Sequence, residues 1–271
     1  MADFSARVVM ITGAAGGIGR GLCEYFHEAG ACVLALSRDA VDLAPLRSCV
    51  APHSSRFLTA HVDLTQYGAV IDVVGRLVAQ SGPVDVLINN AGGAASTALS
   101  NTTPESFRKD LDLNLTAAYH CVEAVKQPMF DRGKGVIINI GSVNGELALG
   151  HPAYSAAKAG LVSYTRSLAI EYGPKGVRAN IICPGTVKTE AWKARAAANP
   201  RIFDELKKWY PLRNFAEPVD IAHAAGFLAS DAARMISGVM LPVDAGLTAG
   251  NGVLAAELRS EEHTSELQSP I

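Results

Sequence analysis

The sequence predicts an α/β fold in which one doubly wound parallel sheet of about seven strands carries helices on both faces. Short apolar runs rich in β-branched residues alternate with helical patterns along the 271 residues of the chain. This alternation is typical of parallel sheets. Because no proline- or serine-rich linker and no internal repeat interrupts it, residues 1–258 are predicted to form a single domain with a substantial core.

The elements follow one another along the chain in strand–helix order. The predicted strands are residues 7–11, 32–36, 56–61, 84–88, 136–140, 177–182 and 238–242. Helices are predicted to begin near Gly17, Ala40, Gln66, Pro104, Tyr154, Phe203 and Pro218. Right-handed crossovers place the carboxyl ends of all the strands at one edge of the sheet, so the loops that follow them should meet there.

A glycine-rich turn joins the first predicted strand to the first predicted helix. Gly13, Gly17, Ile18 and Gly19 lie in this turn. Glycines let the backbone approach a pyrophosphate, and the helix N-terminus supplies free N–H groups. The order strand, glycine turn, helix predicts a dinucleotide-binding sheet of the Rossmann type. The alternative is a glycine-rich turn that binds nothing.

A phenol and an ammonium group lie four residues apart at Tyr154 and Lys158. This spacing places both side chains on one face of a helix. A nearby cation favours the phenolate and lowers the pKa of the phenol, so the pair can donate and accept a proton near neutral pH. The pair is weak evidence by itself, because such pairs are common on exposed helix faces.

Several motifs together make the chain resemble the short-chain dehydrogenase/reductase family, in its compact single-domain branch, over residues 4–258. TGxxxGxG occupies residues 12–19, NNAG occupies 89–92, and a Pro-Gly segment begins at Pro184. The order and spacing of the family's catalytic tetrad are matched by Asn114, Ser142, Tyr154 and Lys158. The resemblance implies an oxidoreductase that transfers a hydride between a nicotinamide cofactor and a ketone or secondary alcohol, with Tyr154 as general acid and base.

The resemblance also implies roles for individual residues. Lys158 would lower the pKa of Tyr154 and bond the nicotinamide ribose, Ser142 would polarise the carbonyl, and Asn114 would bend its helix and hold a water beside Lys158. Residues 186–215 would cap the substrate. The expected cofactor contacts are Gly13, Gly17, Ile18, Gly19, Ser37, Arg38, Asp63, Leu64, Asn90, Ala91, Gly92, Tyr154, Lys158, Pro184, Gly185, Thr186, Val187 and Thr189.

The end of the second predicted strand bears on the choice of nucleotide. Ser37 stands where NAD-specific relatives carry an acid, and the guanidinium of Arg38 suits a 2′-phosphate. NADP(H) is therefore favoured. NAD(H) stays open because Asp39 lies about twenty residues past the glycine turn, where the generic fingerprint expects an acid. Asp63 either accepts from the adenine amino group or forms a local Asx turn.

The substrate is a small carbonyl or alcohol that the sequence does not name. Candidate pocket residues are mostly apolar: Gly93, Ala94, Val143, Asn144, Leu147, Leu149, Trp192 and Trp209. They favour a neutral, moderately hydrophobic ketone, with Lys193 and Arg195 as possible anion contacts. A 3-oxoacyl-thioester reductase is the nearest alternative. A non-catalytic dinucleotide-sensing regulator is the alternative of another class, but such members typically lack the tyrosine or the lysine.

Composition limits the partners and the compartment. The formal net charge of −2 suggests neither a nucleic-acid nor a membrane partner, and no apolar run reaches the ~18 residues of a membrane span. The five scattered cysteines show no metal-ligand spacing, which predicts reduced thiols, a cytoplasmic location and no metal. Residues 259–271 resemble adapter read-through and are interpreted as a non-native tail. The family resemblance implies a homo-oligomer, either a dimer or a tetramer.

Overall fold

A computed structural model of the chain describes residues 2–38, 40–51 and 54–266. Within them, seven parallel strands form one sheet in the order β3-β2-β1-β4-β5-β6-β7. The strands are β1 (Val8–Thr12), β2 (Cys32–Ser37), β3 (Phe57–His61), β4 (Val86–Asn89), β5 (Gly135–Ile140), β6 (Val177–Pro184) and β7 (Met240–Val243). The predicted Rossmann-type sheet with helices on both faces is confirmed.

The helices lie between the strands and beyond the last one. They are α1 (Gly17–Glu28), α2 (Ala40–Val50), α3 (Tyr67–Ser81), α4 (Pro104–Leu111), α5 (Ala117–Asp131), α6 (Pro152–Tyr172), α7 (Glu190–Ala198), α8 (Ile202–Lys207), α9 (Pro218–Ala229) and α10 (Gly252–Glu266). A π-helical turn, Asp112–Thr116, joins α4 to α5. The helix predicted to begin near Tyr154 begins two residues earlier, because the fixed φ of Pro152 suits the first helical position.

The core lies on both faces of the sheet. Every residue of β1, β4 and β5 is buried, which is why these parallel strands appear in the sequence as continuous apolar runs. One face packs against α1 and α9 through residues such as Phe26 and Leu228. The other face packs against α3 and α5 through residues such as Val74 and Val122.

The strand order determines where the site lies. Residues in β1 pair with β2 on one side and with β4 on the other. The chain leaves β1 and β4 towards opposite faces, so a crevice opens above their carboxyl ends, which is the position where such sheets bind ligands. The glycine turn and the residues after Asn89 both border this crevice.

The C-terminal segment departs from the expected pattern. The structure places a helix, α10, over Gly252–Glu266, so the tail assigned to residues 259–271 begins inside a helix. About half of the surface of Leu254 and of Leu258 is exposed, at 50% and 55%. Residues 267–271 lie outside the described residues. No helix in the described part of the chain is long and apolar enough to cross a membrane.

Candidate active site

The glycine turn is built so that no side chain fits at two of its positions. Gly13 has φ +62, in the left-handed region that glycine adopts without steric cost. A Cβ added to Gly19 would collide with the carbonyl oxygen of Gly13. Gly16 N donates to Gly13 O at 3.1 Å and Arg20 N donates to Gly16 O at 2.8 Å, which starts α1. The turn therefore presents bare backbone to the crevice.

The loop after β4 is fastened to the glycine turn. The side-chain amide of Asn90 donates to Thr12 O at 3.0 Å and to Gly13 O at 3.1 Å. The Thr12 hydroxyl in turn accepts from Asn90 N and Ala91 N, each at 3.0 Å. Asn89 points into the core, where it donates to Asn139 at 2.9 Å. Thr12 was not predicted as a site residue, although it opens the TGxxxGxG motif.

A cleft of about 760 Å³ runs across the carboxyl edge of the sheet. Most of the predicted cofactor contacts line it: Gly13, Gly17, Ile18, Gly19, Ser37, Arg38, Asp63, Leu64, Asn90, Ala91, Gly92 and Thr189. Pro184, Gly185, Thr186, Val187, Tyr154 and Lys158 do not line it. The sequence did not predict the charged face of α4 as part of its wall, which consists of Glu105, Arg108 and Lys109. Most of the residues predicted to contact the cofactor therefore lie on the wall of this cleft.

The end of β2 and the loop after β3 form one end of the cleft. Arg38 is exposed there beside Ser37, and Asp39 lies outside the described residues. Asp63 Oδ1 accepts from Thr65 N at 3.0 Å and from its hydroxyl at 2.8 Å. The Asx turn that the sequence left open is therefore present. Its other carboxylate oxygen has no protein partner among the described residues.

The segment after β6 is held by a residue that the sequence did not single out. Tyr210, 5% exposed, places its hydroxyl 3.2 Å from Thr186 N and 2.8 Å from Thr186 Oγ1. Thr186 was predicted to bond the cofactor with these groups, and in the structure Tyr210 engages both of them. Thr189 instead packs on the glycine turn, since a Cβ on Gly17 would lie 2.6 Å from its methyl carbon.

Few of the predicted substrate-pocket residues are enclosed. Val143 is buried, whereas Leu147, Leu149 and Trp209 are each more than one third exposed. Trp192 packs on Phe203 with ring centroids 6.0 Å apart. The side chains of Lys193 and Arg195 lie outside the described residues.

Lys158 is a buried ammonium beside the cleft. Its side chain is 3% exposed, and Nζ donates to Ile140 O at 2.7 Å. Nζ lies 5.5 Å from the centroid of the Tyr154 ring. A Cβ on Gly92, which lines the cleft, would be 3.3 Å from Nζ. Burial lowers the pKa of Lys158 from 10.5 to about 8, because removal from water disfavours the charged form.

The pKa of Tyr154 shifts in the direction opposite to the prediction. Burial raises it, and the nearby Cys183 and Asp110 side chains raise it further, while a hydrogen bond to the Ser142 hydroxyl lowers it. The effect of burial is the largest, so the predicted net lowering of the Tyr154 pKa is wrong for the protein by itself. The Ser142 hydroxyl also accepts from Asn144 N at 3.1 Å, which fixes it at the end of β5.

The resemblance implies that Asn114 bends its helix, and the structure places this residue in the π-helical turn. Its amide donates to Gly93 O at 2.7 Å and to Asp110 O at 2.9 Å, while its Oδ1 accepts from Gly93 N at 3.1 Å. Both amide hydrogens are therefore used by the protein. Asp110, a buried carboxylate that the sequence analysis missed, accepts from Ala95 N at 2.8 Å.

The cysteines are free thiols throughout the described residues. Cys183 is the one nearest to the site, and burial raises the pKa of its thiol to about 11. No group of three or more His, Cys, Asp or Glu side chains within the described ranges is arranged to hold a metal ion.

A crevice at the switch point of the sheet, with bare glycine backbone along it and a tyrosine–lysine pair beside it, is typical of dinucleotide-dependent oxidoreductases. Comparisons with known proteins narrow the class. A family model described as enoyl-(acyl carrier protein) reductase matches residues 13–248. The chain belongs to the short-chain dehydrogenase/reductase family, whose general reaction is nicotinamide-dependent hydride transfer.

Individual relatives agree with this assignment. An uncharacterized oxidoreductase of Schizosaccharomyces pombe is 42% identical over 258 residues, which is 95% of this chain and 96% of the relative. Acetoacetyl-CoA reductase of Rhizobium meliloti is 34% identical over 89% of this chain and 98% of its own. The crystal structure of a short-chain oxidoreductase from Burkholderia thailandensis has a TM-score of 0.88 at 56% identity, covering 93% of this chain and 97% of that one.

Proposed function

We propose that the protein is an NADP(H)-preferring oxidoreductase that interconverts a ketone and a secondary alcohol, with Tyr154 as general acid and base. The observation that carries the proposal is the arrangement beside the cleft. The Ser142 hydroxyl lies near enough to the Tyr154 phenol to lower its pKa, and the Lys158 ammonium lies 5.5 Å from the centroid of the same ring. Two O–H groups and one cation thus converge where a carbonyl oxygen can be bound.

The chemistry follows from the protonation state of each group. A bound nicotinamide supplies hydride at its C4 position. Ser142 donates a hydrogen bond that polarises the carbonyl. Because burial raises the pKa of Tyr154, the phenol is protonated at neutral pH and gives its proton to the developing alkoxide. Lys158 stabilises the phenolate that remains until it takes a proton from solvent.

The preference for NADP(H) rests on the end of β2. Ser37 and Arg38 both line the cleft, and Ser37 presents no carboxylate that would repel a 2′-phosphate. The exposed guanidinium of Arg38 offers the planar donor pair that suits phosphate. Titration of the protein with NADPH and NADH, followed by nicotinamide fluorescence, compares the two affinities directly.

Tyr154→Phe tests the catalytic assignment. The variant keeps the ring and removes the acid, so we expect turnover of a ketone panel with NADPH to fall at least ~10²-fold while NADPH binding persists. Tyr164→Phe is the matched control, because Tyr164 is also a partly buried tyrosine of α6 but packs against Tyr119, with ring centroids 6.4 Å apart. Turnover of Tyr154→Phe equal to that of the control would refute the assignment.

A 3-oxoacyl-thioester reductase is the second candidate. The identity to acetoacetyl-CoA reductase favours it, and so do the exposed cations Arg108 and Lys109 at the cleft wall, which can meet the phosphates of a thioester carrier. Acetoacetyl-CoA therefore belongs in the ketone panel. A kcat/KM for this thioester far above that for every simple ketone would select the second candidate.

The third alternative, a non-catalytic regulator, predicts that wild-type protein binds nucleotide and reduces nothing in the panel.

The proposal also includes a homotetramer in the cytoplasm. Helices α4, α5 and α6 expose large apolar side chains, with Phe107 at 39%, Tyr119 at 46% and Ile170 at 76%, and such surfaces favour association. Light scattering measures the mass in solution.

A further inference from the structure

His151, which immediately precedes α6, has a backbone conformation that few side chains adopt. Its φ of 54 and ψ of 62 are left-handed, a region that is strained for a residue other than glycine. Such conformations persist where the surroundings hold them and are frequent at functional sites. Two contacts hold this one: His151 N donates to Thr97 O at 3.0 Å, and the ring nitrogen Nδ1 lies 2.9 Å from Ser96 O.

The bond to Ser96 determines which ring nitrogen carries the hydrogen. A backbone carbonyl only accepts hydrogen bonds, so Nδ1 must be the donor. In a neutral imidazole the other nitrogen, Nε2, is then an acceptor. Nε2 of His151 has no protein partner among the described residues, and it is not among the buried unpartnered atoms, which include Nε2 of His27. His151 therefore presents an available acceptor to solvent.

This acceptor lies beside the reacting phenol. The rings of His151 and Tyr154 are 6.4 Å apart between centroids, with an interplanar angle of 75°. Ser96 belongs to the loop after β4 that Asp110 fastens at Ala95 N. His151 consequently joins two elements of the site, the loop that follows the cleft-lining Gly92 and the helix that carries Tyr154.

We propose that Nε2 of His151 accepts a hydrogen bond from a substrate hydroxyl on the carbon next to the reacting carbon. The preferred substrates are then α-hydroxy ketones in reduction and vicinal diols in oxidation. The inference rests on the proposed function, since Tyr154 must meet the reacting oxygen. Two oxygens on adjacent substrate carbons are close together. One of them can therefore bond the Tyr154 hydroxyl while the other bonds the neighbouring His151 ring. Such substrates are more polar than the neutral, moderately hydrophobic ketone that the sequence favours.

His151→Asn is the informative variant. The Asn side-chain amide stands near the position of Nδ1, so it keeps a donor for Ser96 O, and asparagine tolerates the left-handed backbone. It removes the acceptor at Nε2. His151→Gln is the matched control, because its amide reaches the position of Nε2 and its oxygen can accept. Thermal unfolding midpoints and NADPH affinities within error of wild type establish that both variants are folded.

The substrates are two pairs that differ by one hydroxyl: 3-hydroxybutan-2-one against butan-2-one, and hydroxyacetone against acetone. Sites that hydrogen-bond a substrate hydroxyl discriminate strongly against the analogue that lacks it. We expect wild type to prefer each hydroxy ketone by at least ~10-fold in kcat/KM. His151→Asn should lose this preference while reducing butan-2-one within ~2-fold of wild type, and His151→Gln should recover part of it.

Three results overturn the inference. The first is a wild-type protein that shows no preference for the hydroxy ketones, including one that reduces neither pair. The others are a His151→Asn variant that keeps the preference, and a variant that loses activity on both members of a pair equally, which indicates a structural role. Failure of the proposed function is distinguishable from these. It appears as Tyr154→Phe turning over like wild type, or as no turnover of any ketone or thioester in the panel. Reduction of other ketones without hydroxyl preference overturns only the role of His151.

Discussion

Replacing Lys158 with methionine should stabilise the fold at neutral pH while it removes the activity. Lys158 is 3% exposed, and its pKa falls from 10.5 to about 8 on burial. This shift of about 2.5 units, at about 1.36 kcal/mol per unit, corresponds to about 3 kcal/mol by which folding disfavours the protonated form. Below pH ~8 the whole penalty acts on the native state.

The pH dependence follows from where the proton is bound. Between about pH 8 and pH 10.5 the folded protein has lost the Lys158 proton while the unfolded chain keeps it, so the free energy of unfolding contributed by this residue rises with pH. Methionine removes the charge but leaves Ile140 O without its 2.7 Å bond, which costs about 1 kcal/mol. Lys158→Met should therefore be more stable by about 2 kcal/mol at pH 7 and less stable by about 1 kcal/mol near pH 10.5.

Urea denaturation at pH 7 and pH 10.5, at one fixed protein concentration because association shifts apparent stability, measures the two differences. Lys126→Met is the control of opposite sign, since a hydrogen bond to Glu123 raises the pKa of Lys126; this variant should not be stabilised at pH 7. A difference between wild type and Lys158→Met that does not change with pH would refute the reasoning, as would a Lys158→Met variant that is less stable at pH 7.

Two further predictions concern the nucleotide cleft. Gly19→Ala should lower NADPH affinity at least ~10-fold and reduce the midpoint of thermal unfolding, because the new Cβ collides with Gly13 O. Fluorescence titration measures the affinity and thermal unfolding measures the midpoint. Unchanged NADPH binding would contradict the geometry of the turn. Arg38→Leu should weaken NADPH binding ~10-fold or more and leave NADH binding unchanged, because only NADPH carries the 2′-phosphate; equal effects on the two nucleotides would mean that Arg38 does not contact it.

The parts of the fold that depend on local pattern could be predicted from the sequence. Strand β2 begins at Cys32, as predicted, and the buried runs of β1, β4 and β5 gave strands within two residues of their observed bounds. Helix α7, Glu190–Ala198, was missed because it has no apolar face that repeats at the helical period. Its alanines, with Lys193 and Arg195, are strong helix formers, and that propensity was the available signal.

The parts of the site that depend on tertiary packing could not be predicted. Asp110 reaches Ala95 N across fifteen residues of chain, and Tyr210 reaches Thr186 across twenty-four; neither spacing is a motif. The direction of the Tyr154 pKa shift could not be predicted either, because it too depends on tertiary packing. A sequence shows that a lysine lies four residues away, but the pKa depends on how much water the fold removes from around the phenol.

The π-helical turn Asp112–Thr116 limits how this protein can be recombined with its relatives. Such a turn contains one residue more than a regular helical turn, so deleting a single residue there would close it into a regular turn and shift the residues around it by one position. Asp110 and Asn114 would then lose their register with the loop after β4. A chimera must therefore exchange α4, the turn and α5 as one block, and a crossover point belongs in the loops before Pro104 or after Asp131.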